Sequence, residues 1–317
     1  MPKTQECYDN VKLLLDEVDI SRLESTLSCD LKCDLYICGK MTASCKHPCI
    51  FCPDTAPYVD ENAKLLTIGD LKKFLAGYQA DPNNPKKYYN VINETLLPFS
   101  DDTLIIDVIN VPGLHLLLGI VAKFIEYIEI AVGGEDREKG KNWVNNFLSR
   151  VLHVTRVEYQ WRKSLNGNDS KKFIENICKL EPFAMALEDH ESGGKVMAAI
   201  SCIKTFNTVV EKCFGNEVKG DFEFHIRKFS IQYRMLPGGC SVTPKVHIVE
   251  RHIVQFLRRK HNQGFEGCGL GHFSEQSFES IHRDWKLFWD NLKVGEEHPL
   301  YSLKLLTSVV SYNSSHI

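Results

Sequence analysis

The chain has 317 residues, of which 43% are hydrophobic and 25% are charged, as is typical of soluble globular proteins. The formal charge of −3 argues against a surface dominated by nucleic-acid binding, so any DNA contact must be local. The polar start lacks the pattern of a signal peptide, and no stretch reaches the roughly 18 apolar residues of a membrane span. We therefore expect a protein of the nucleus or cytoplasm that is not secreted and has no membrane partner.

Hydrophobic periodicity predicts helices along almost the whole chain. Residues 8–19 have an amphipathic pattern, whereas the cysteine- and proline-rich residues 29–58 favour a knuckle-like loop region and residues 81–87 a polar loop. A long, largely buried helix is predicted to begin at Pro112 and to end at Gly133-Gly134. Further helices are predicted at about 141–154, 167–179, 194–214, 219–235, 244–260, 274–291 and 299–312. The predicted fold class is mainly α.

Two pairs of potential metal ligands lie almost two hundred positions apart, in Cys49-Ile-Phe-Cys52 and in His247-Ile-Val-Glu-Arg-His252. A Cys-x-x-Cys turn lets both thiolates approach one tetrahedral ion, and His-x₄-His lies within the spacing of paired histidine ligands of zinc. On a regular helix, residues five apart point about 140° away from each other. Both histidines can therefore ligate only if His247 lies at the frayed start of its helix, where Thr243-Pro244 places it.

Two alternatives to this long-range zinc site remain open. In a reducing compartment the 12 cysteines are expected to be buried thiols or metal ligands, so Cys38, Cys45 and His47 could form a local site within residues 29–52. The two histidines near the end of the chain could equally be ordinary residues of a helix surface. Spacing alone does not decide between these possibilities.

Five short motifs follow one another in a recognisable order. They are Asp30, nineteen residues before Cys49; Leu114-His115 at the start of an apolar helix; Asn166-Gly167-Asn168 ahead of Lys171-Lys172; His247 with His252; and Ser274-Glu275-Gln276-Ser277-Phe278-Glu279-Ser280. Over about residues 29–316, their order and rough spacing resemble the catalytic core of the Transib-type DDE transposases. That family includes the large subunit of the V(D)J recombinase, and many transposon-derived proteins of invertebrates carry the same core.

The resemblance implies an RNase H-like fold and metal-dependent DNA chemistry. DDE enzymes cut and join DNA with two divalent metal ions held by three acidic side chains, and carboxylates suit Mg²⁺ or Mn²⁺. By position, Asp30 would be the second acid and Glu279 the third, with Glu275 as the alternate one helical turn earlier and His282 three residues beyond. The paired cysteines and histidines would bind a structural zinc ion.

The sequence departs from the family at the first acid. Only 29 residues precede Asp30, and they read as a helix and a short polar stretch, so the first acid and most of the β-strands are missing. We expect the helical, zinc-stapled portion of an RNase H-like transposase core, with most of the β-sheet missing and catalysis incomplete. Its parts would be an N-terminal helical remnant (1–28), a Cys-rich segment (29–66), a helical insertion region (67–240) and a C-terminal region with the histidines and the acidic helix (241–317), all in one folded unit.

Weak, non-specific DNA contact is a further expectation. The candidate residues are Asn166, Asn168, Lys171, Lys172, Arg258 and Arg259, which could engage phosphates without reading sequence, although such patches are usually only a solvated surface. Two other functions stay open beside a transposase-derived one. The chain could be a host-adopted helical module that binds a protein partner or itself and has no enzymatic activity, or a truncated gene model of an active transposase.

Overall fold

The computed structural model of the chain describes residues 7–18, 26–42, 44–55, 58, 64–159, 162–274, 290, 294–295, 298–301, 303–304 and 306–308. Within these residues the protein is mainly helical, which confirms the predicted class. The α-helices are α1 (Tyr8–Val18), α2 (Leu31–Ile37), α3 (Ile68–Ala80), α4 (Ile105–Val108), α5 (Gly113–Gly133), α6 (Arg137–Arg150), α7 (Gly167–Glu175), α8 (Glu181–Met185), α9 (His190–Cys213), α10 (Phe222–Arg234), α11 (Pro244–His247) and α12 (Ile253–Asn262). None of them is both long and apolar enough to cross a membrane.

Helices α5 to α10 form the helical core of the molecule, with α5 at its centre. Helix α5 packs against α6, α7 and α9, and α10 packs against α9. Phe124, Phe206 and Phe229 are fully buried where α5, α9 and α10 meet, with ring centroids 5.1–6.4 Å apart. Burial of large aromatic side chains is the strongest apolar contribution available to such a core. These three helices therefore supply the rigid body on which the other elements rest.

Both ends of α5 agree with the sequence prediction. Pro112 precedes the first turn, and Gly134 closes the helix with φ 55° and ψ −117°, a conformation that favours glycine. The next helix, α6, turns back so closely that a Cβ on Gly140 would lie 2.0 Å from the carbonyl oxygen of Glu129. Glycine is thus required at this crossing because the two backbones touch.

The N-terminal segment, defined as the described residues between 26 and 66, contains little regular structure. The prediction of loops over 29–58 was wrong in part, because Asp30 caps the short helix α2 by accepting hydrogen bonds from the backbone N–H groups of Lys32 and Cys33. Leu27 forms an isolated parallel bridge with Ile109, with two backbone hydrogen bonds to the chain around α4. This segment is therefore held to the rest of the molecule by scattered contacts.

Regular β-structure among the described residues is confined to one antiparallel hairpin. Strands β1 (Val157–Tyr159) and β2 (Arg162–Ser164) pair in the register Val157↔Ser164, and the remaining bridges are isolated. An RNase H-like sheet is not present in this part of the chain, in keeping with the expected loss of most of its strands. The RNase H-like origin itself stays a prediction.

Other boundaries differ from the sequence-based ones by a few residues. The predicted helix at 141–154 lies at Arg137–Arg150, and the one at 167–179 ends as α7 at Glu175 and continues as a 3₁₀ turn over Ile177–Leu180. The polar loop at 81–87 includes a 3₁₀ turn over Pro85–Tyr88. Helix α3 was missed, although Thr67 and Asp70 form a capping box at its start. The predicted helices at 274–291 and 299–312 lie mostly outside the described residues.

Candidate metal centre

The Cys-x-x-Cys turn lies in the N-terminal segment, after α2, with both thiols buried. Its backbone is fixed from two sides: the Nζ of Lys40 donates to the carbonyl oxygen of Cys49 at 2.5 Å, and the N–H of Leu66 donates to that of Phe51 at 2.8 Å. Lys40 is 1% exposed, and burial lowers its pKa, although the nearby charge of Cys49 and Cys38 acts in the opposite direction. A buried cation thus sits against the turn that carries the two thiols.

The two histidines lie at either end of a π turn. Thr243 caps α11 with Pro244 at its first position, as predicted, but the helix continues without fraying into a π-helical turn over Ile248–His252. The N–H of Ile253 donates to the carbonyl oxygen of Ile248, five residues earlier. This corrects the sequence-based requirement for a frayed start: i→i+5 bonding brings residues five apart onto one face, as a regular helix cannot.

The four side chains converge on one point. Their ligand atoms all lie within 4.8 Å of one another, from residues 195 and 203 positions apart. The Nε2 atoms of the histidines are 3.1 Å apart, Cys52 Sγ is 3.2 Å from His247 Nε2, and Cys49 Sγ is 3.4 Å from His252 Nε2. Tetrahedral zinc with Zn–N bonds of about 2.0–2.1 Å and Zn–S bonds of about 2.3 Å would place its nitrogens about 3.3 Å apart and each sulfur about 3.6 Å from each nitrogen. The cluster matches that tetrahedron within a few tenths of an ångström.

Burial and charge also suit a divalent cation. Each of the four residues is only 1% exposed. Burial alone would raise the pKa of Cys49, but the hydrogen bond from Cys52 and the positive charge of His252 hold that pKa well below its ordinary value. The pKa of Cys52 is raised, first by that hydrogen bond and then by burial. Two thiolates would balance the charge of a divalent ion, so the metal-bound site would carry no uncompensated buried charge.

The two histidine rings are oriented in different ways. His252 Nδ1 lies 2.7 Å from the Oε1 of Gln255; donation to this oxygen leaves the lone pair of Nε2 free to ligate a metal. For His247 the Nδ1 atom is buried and has no hydrogen-bond partner among the described residues. The ring of Tyr58 stacks on His247 instead, with centroids 4.2 Å apart and planes inclined by 19°.

The local alternative within residues 29–52 is not realised in this arrangement. The clustered ligands include neither Cys38, Cys45 nor His47, and the ring of His47 is engaged at Nδ1 by the carbonyl oxygen of Pro53 at 2.9 Å. Burial raises the pKa of Cys38, as expected of an inert internal thiol. The structure therefore favours the long-range combination of ligands.

The predicted catalytic residues are only partly within the described part of the chain. Asp30 and His115 line one cavity of about 340 Å³, together with residues adjacent to the metal ligands, Ile50 and Ile248. The carboxylate of Asp30 is engaged as the cap of α2. Glu275, Glu279 and His282 lie outside the described residues, so a carboxylate pairing with Asp30 stays a prediction.

The predicted DNA-contacting residues are dispersed over the surface. Asn166 caps α7, while Asn168 and Lys171 line a second cavity of about 600 Å³, and Lys172 is exposed beside them. On α12, Arg258 makes a two-pronged ion pair with Glu223, and Arg259 makes one with Asp107. A phosphate would have to displace these carboxylates before either arginine could bind it.

Three residues around the metal centre had no part in the sequence-based prediction. Gln255 follows His252 by three positions on a helix, a spacing from which its contact could have been expected. Lys40 and Tyr58 carry no such signal, because their contacts to the site depend on the path of irregular chain.

Comparison with known proteins gives no relative on which to rest a family assignment. The sequence matches no protein-family model, and it matches none of the curated proteins. The established features are thus a mainly helical fold and a cluster of two cysteines and two histidines that could hold a metal ion.

Proposed function

We propose that Cys49, Cys52, His247 and His252 bind one structural zinc ion, and that the chain is a zinc-stapled, catalytically incomplete relative of the Transib-type DNA recombinases. One observation carries the zinc assignment: four buried ligand atoms, at near-tetrahedral separations, come from opposite ends of the chain. Two thiolates with two imidazoles are a common donor set for zinc. Four protein ligands close the coordination sphere, as in structural rather than catalytic zinc sites.

The metal would act as a cross-link between distant parts of the fold. Bound zinc joins the N-terminal segment to α11 and α12. The apparent binding free energy of structural zinc is about 10–16 kcal/mol in small zinc domains, comparable with the whole stability of about 5–15 kcal/mol of an ordinary domain. Such a contribution would offset the small amount of regular structure in the N-terminal segment.

Metal content of three purified proteins tests this proposal. We expect one zinc per chain in the wild type and none in Cys52→Ser. Cys38→Ser, which alters a buried thiol of the same segment, is the matched control and should keep its zinc. Loss of zinc in Cys38→Ser together with retention in Cys52→Ser would replace the proposed ligands by the local ones.

The recombinase relationship rests on the order of the sequence motifs. Two contacts support it: Asp30 and His115 face the same cavity beside the metal cluster, and Leu27 makes a parallel bridge three residues before Asp30, in line with an acid that follows a strand. Two-metal DNA chemistry needs all three acids. Because the first is missing, the chain by itself should not cleave DNA, and Mg²⁺ or Mn²⁺ would be cofactors only of a complete enzyme.

Incubation with duplex DNA and Mg²⁺ or Mn²⁺ separates these possibilities. We expect no cleavage, and at most weak, salt-dependent binding in the nucleus. Cleavage that Asp30→Asn abolishes would show an active enzyme and overturn the proposal of incomplete catalysis. Absence of duplex binding at low salt would remove DNA as a partner.

A second function, a host-adopted module without enzymatic activity, is favoured by an exposed apolar face on α10. Phe224, Ile231 and Met235 are 62%, 54% and 75% exposed, and their spacing of seven and four residues places them along one side of the helix. Self-association through this face would appear as a concentration-dependent mass in light scattering and should disappear in Ile231→Glu. A monomer at all concentrations would leave only a different protein as the partner.

A further inference from the structure

The orientation of His247 is the unexplained part of the proposed zinc site. Histidine ligands usually donate their second ring nitrogen to an oxygen acceptor, which fixes the ring. His252 follows this rule through Gln255 at 2.7 Å, but among the described residues no acceptor faces the Nδ1 of His247. Its ring is instead covered by Tyr58, nearly parallel at a centroid distance of 4.2 Å. Whatever fixes Tyr58 therefore also fixes the ligand.

Tyr58 has an uncommon backbone conformation. Its φ of 57° lies in the left-handed region, which bulky residues rarely adopt, and its side chain is 1% exposed. Such conformations persist only where the surroundings hold them, and they occur preferentially at functional sites. Two hydrogen bonds hold this one: the N–H of Tyr58 donates to the carbonyl oxygen of Thr55 at 2.6 Å, and its own carbonyl oxygen accepts from Nη2 of Arg234 at 3.0 Å.

Arg234 is in turn fixed by a residue of the π turn. Its Nη2 and Nε atoms lie 2.6 and 3.2 Å from the two carboxylate oxygens of Glu250, which also accepts from the hydroxyl of Ser230 at 3.0 Å. The side chain of Glu250 is only 2% exposed, so this bidentate ion pair is well shielded on the carboxylate side. Glu250 lies between the two histidine ligands in the sequence.

These contacts form a closed circuit. It runs from His247 to the ring of Tyr58, from the Tyr58 carbonyl to Arg234, and from Glu250 back along the π turn to His247. We infer that Tyr58, Arg234 and Glu250 are positioning residues of the metal centre: the ion pair sets the π turn and holds the tyrosine that orients His247. This inference rests on the proposed zinc function and adds helix α10, which carries Arg234, to the elements that determine metal affinity.

The test compares zinc affinity in full-length proteins, by competition with a chromophoric chelator. Removal of outer-shell partners usually costs about 10–100-fold in metal affinity. We expect a loss of that size in Tyr58→Leu, which removes the flat ring, and in Arg234→Gln, which breaks the circuit at its centre. Tyr58→Phe keeps the ring and should restore wild-type affinity. Arg156→Gln breaks a comparably shielded ion pair, with Glu129 on α5, and serves as the matched control.

The visible spectrum of the Co²⁺-loaded proteins adds a readout that general destabilisation would not move. A shift of the ligand-field bands is expected in Tyr58→Leu and Arg234→Gln but not in Tyr58→Phe or Arg156→Gln. Unchanged affinity and spectra in folded Arg234→Gln would overturn the inference, and this variant decides the matter if Tyr58→Leu does not fold. A wild type that binds no zinc would instead refute the proposed function itself.

Discussion

The helical core and the N-terminal segment are held together by different forces. In the core, Phe124, Phe206 and Phe229 are fully buried between long helices, and apolar burial accounts for its cohesion. The N-terminal segment has one short helix, isolated bridges and the Cys-x-x-Cys turn. The difference shows how one chain can combine a body stabilised by packing with a segment stabilised by ligand chemistry, and each of the two can be perturbed separately.

Loss of the metal should have the largest effect and should be confined at first to the N-terminal segment. His252→Ala removes one of four ligands, so zinc is expected to be absent from the purified protein. Hydrogen exchange followed by mass spectrometry should then show protection falling by several orders of magnitude in the N-terminal segment, with α5 and α9 still protected. Cys202→Ser, at a buried thiol of α9, is the control that should keep both zinc and protection. Unchanged exchange in a zinc-free protein would contradict the division into two regions.

A cavity in the core should produce the opposite pattern. Phe206→Ala removes a fully buried ring in contact with Phe124 and Phe229, and substitutions of this kind cost about 3–5 kcal/mol. Denaturant unfolding should show this loss of stability, while zinc content remains at one per chain. Loss of zinc in a folded Phe206→Ala protein would mean that the core and the metal centre are not independent.

The crossing of α5 and α6 offers a more selective change within the core. A methyl group on Gly140 would collide with the backbone of Glu129, so Gly140→Ala should lower stability by about 1–3 kcal/mol. Gly194→Ala, at an open position of α9, is the matched control and should raise stability by about 0.5–1 kcal/mol. Thermal unfolding of the two variants decides the point, since equal shifts would show that the close approach is not rigid.

The smallest effect is expected at the cap of α9. The pKa of Asp189 is lowered because the hydroxyl of Ser192 and the N–H of Glu191 donate to its carboxylate. A folded-state pKa below the unfolded value means that the stabilisation is present above about pH 4 and is lost as the pH falls through the folded pKa. The melting temperature of Asp189→Ala should therefore lie slightly below that of the wild type at pH 7, and the two should converge in acid. A difference independent of pH would contradict this origin.

The sequence predicts most of what depends on local pattern. The long helix α5 and its ends at Pro112 and Gly134 follow from apolar periodicity and from helix-terminal residues. The pairing of Cys-x-x-Cys with His-x₄-His follows from coordination chemistry. Features that depend on irregular backbone do not follow in this way. The left-handed Tyr58 and the buried Lys40 are specified by tertiary contacts, and the π turn interrupts a stretch that periodicity describes as one continuous helix.

The π turn also fixes the rotational phase of α12. Were one residue deleted between His247 and His252, a regular helix would bring the histidines, now four apart, to one face without any π turn. The residues after His252 would, however, be rotated by about 100° relative to the residues before His247. Arg259 would then turn away from Asp107 on α4, to which it is joined by two hydrogen bonds. The length of this short stretch thus determines both the geometry of the ligands and the side on which the last well-described helix docks.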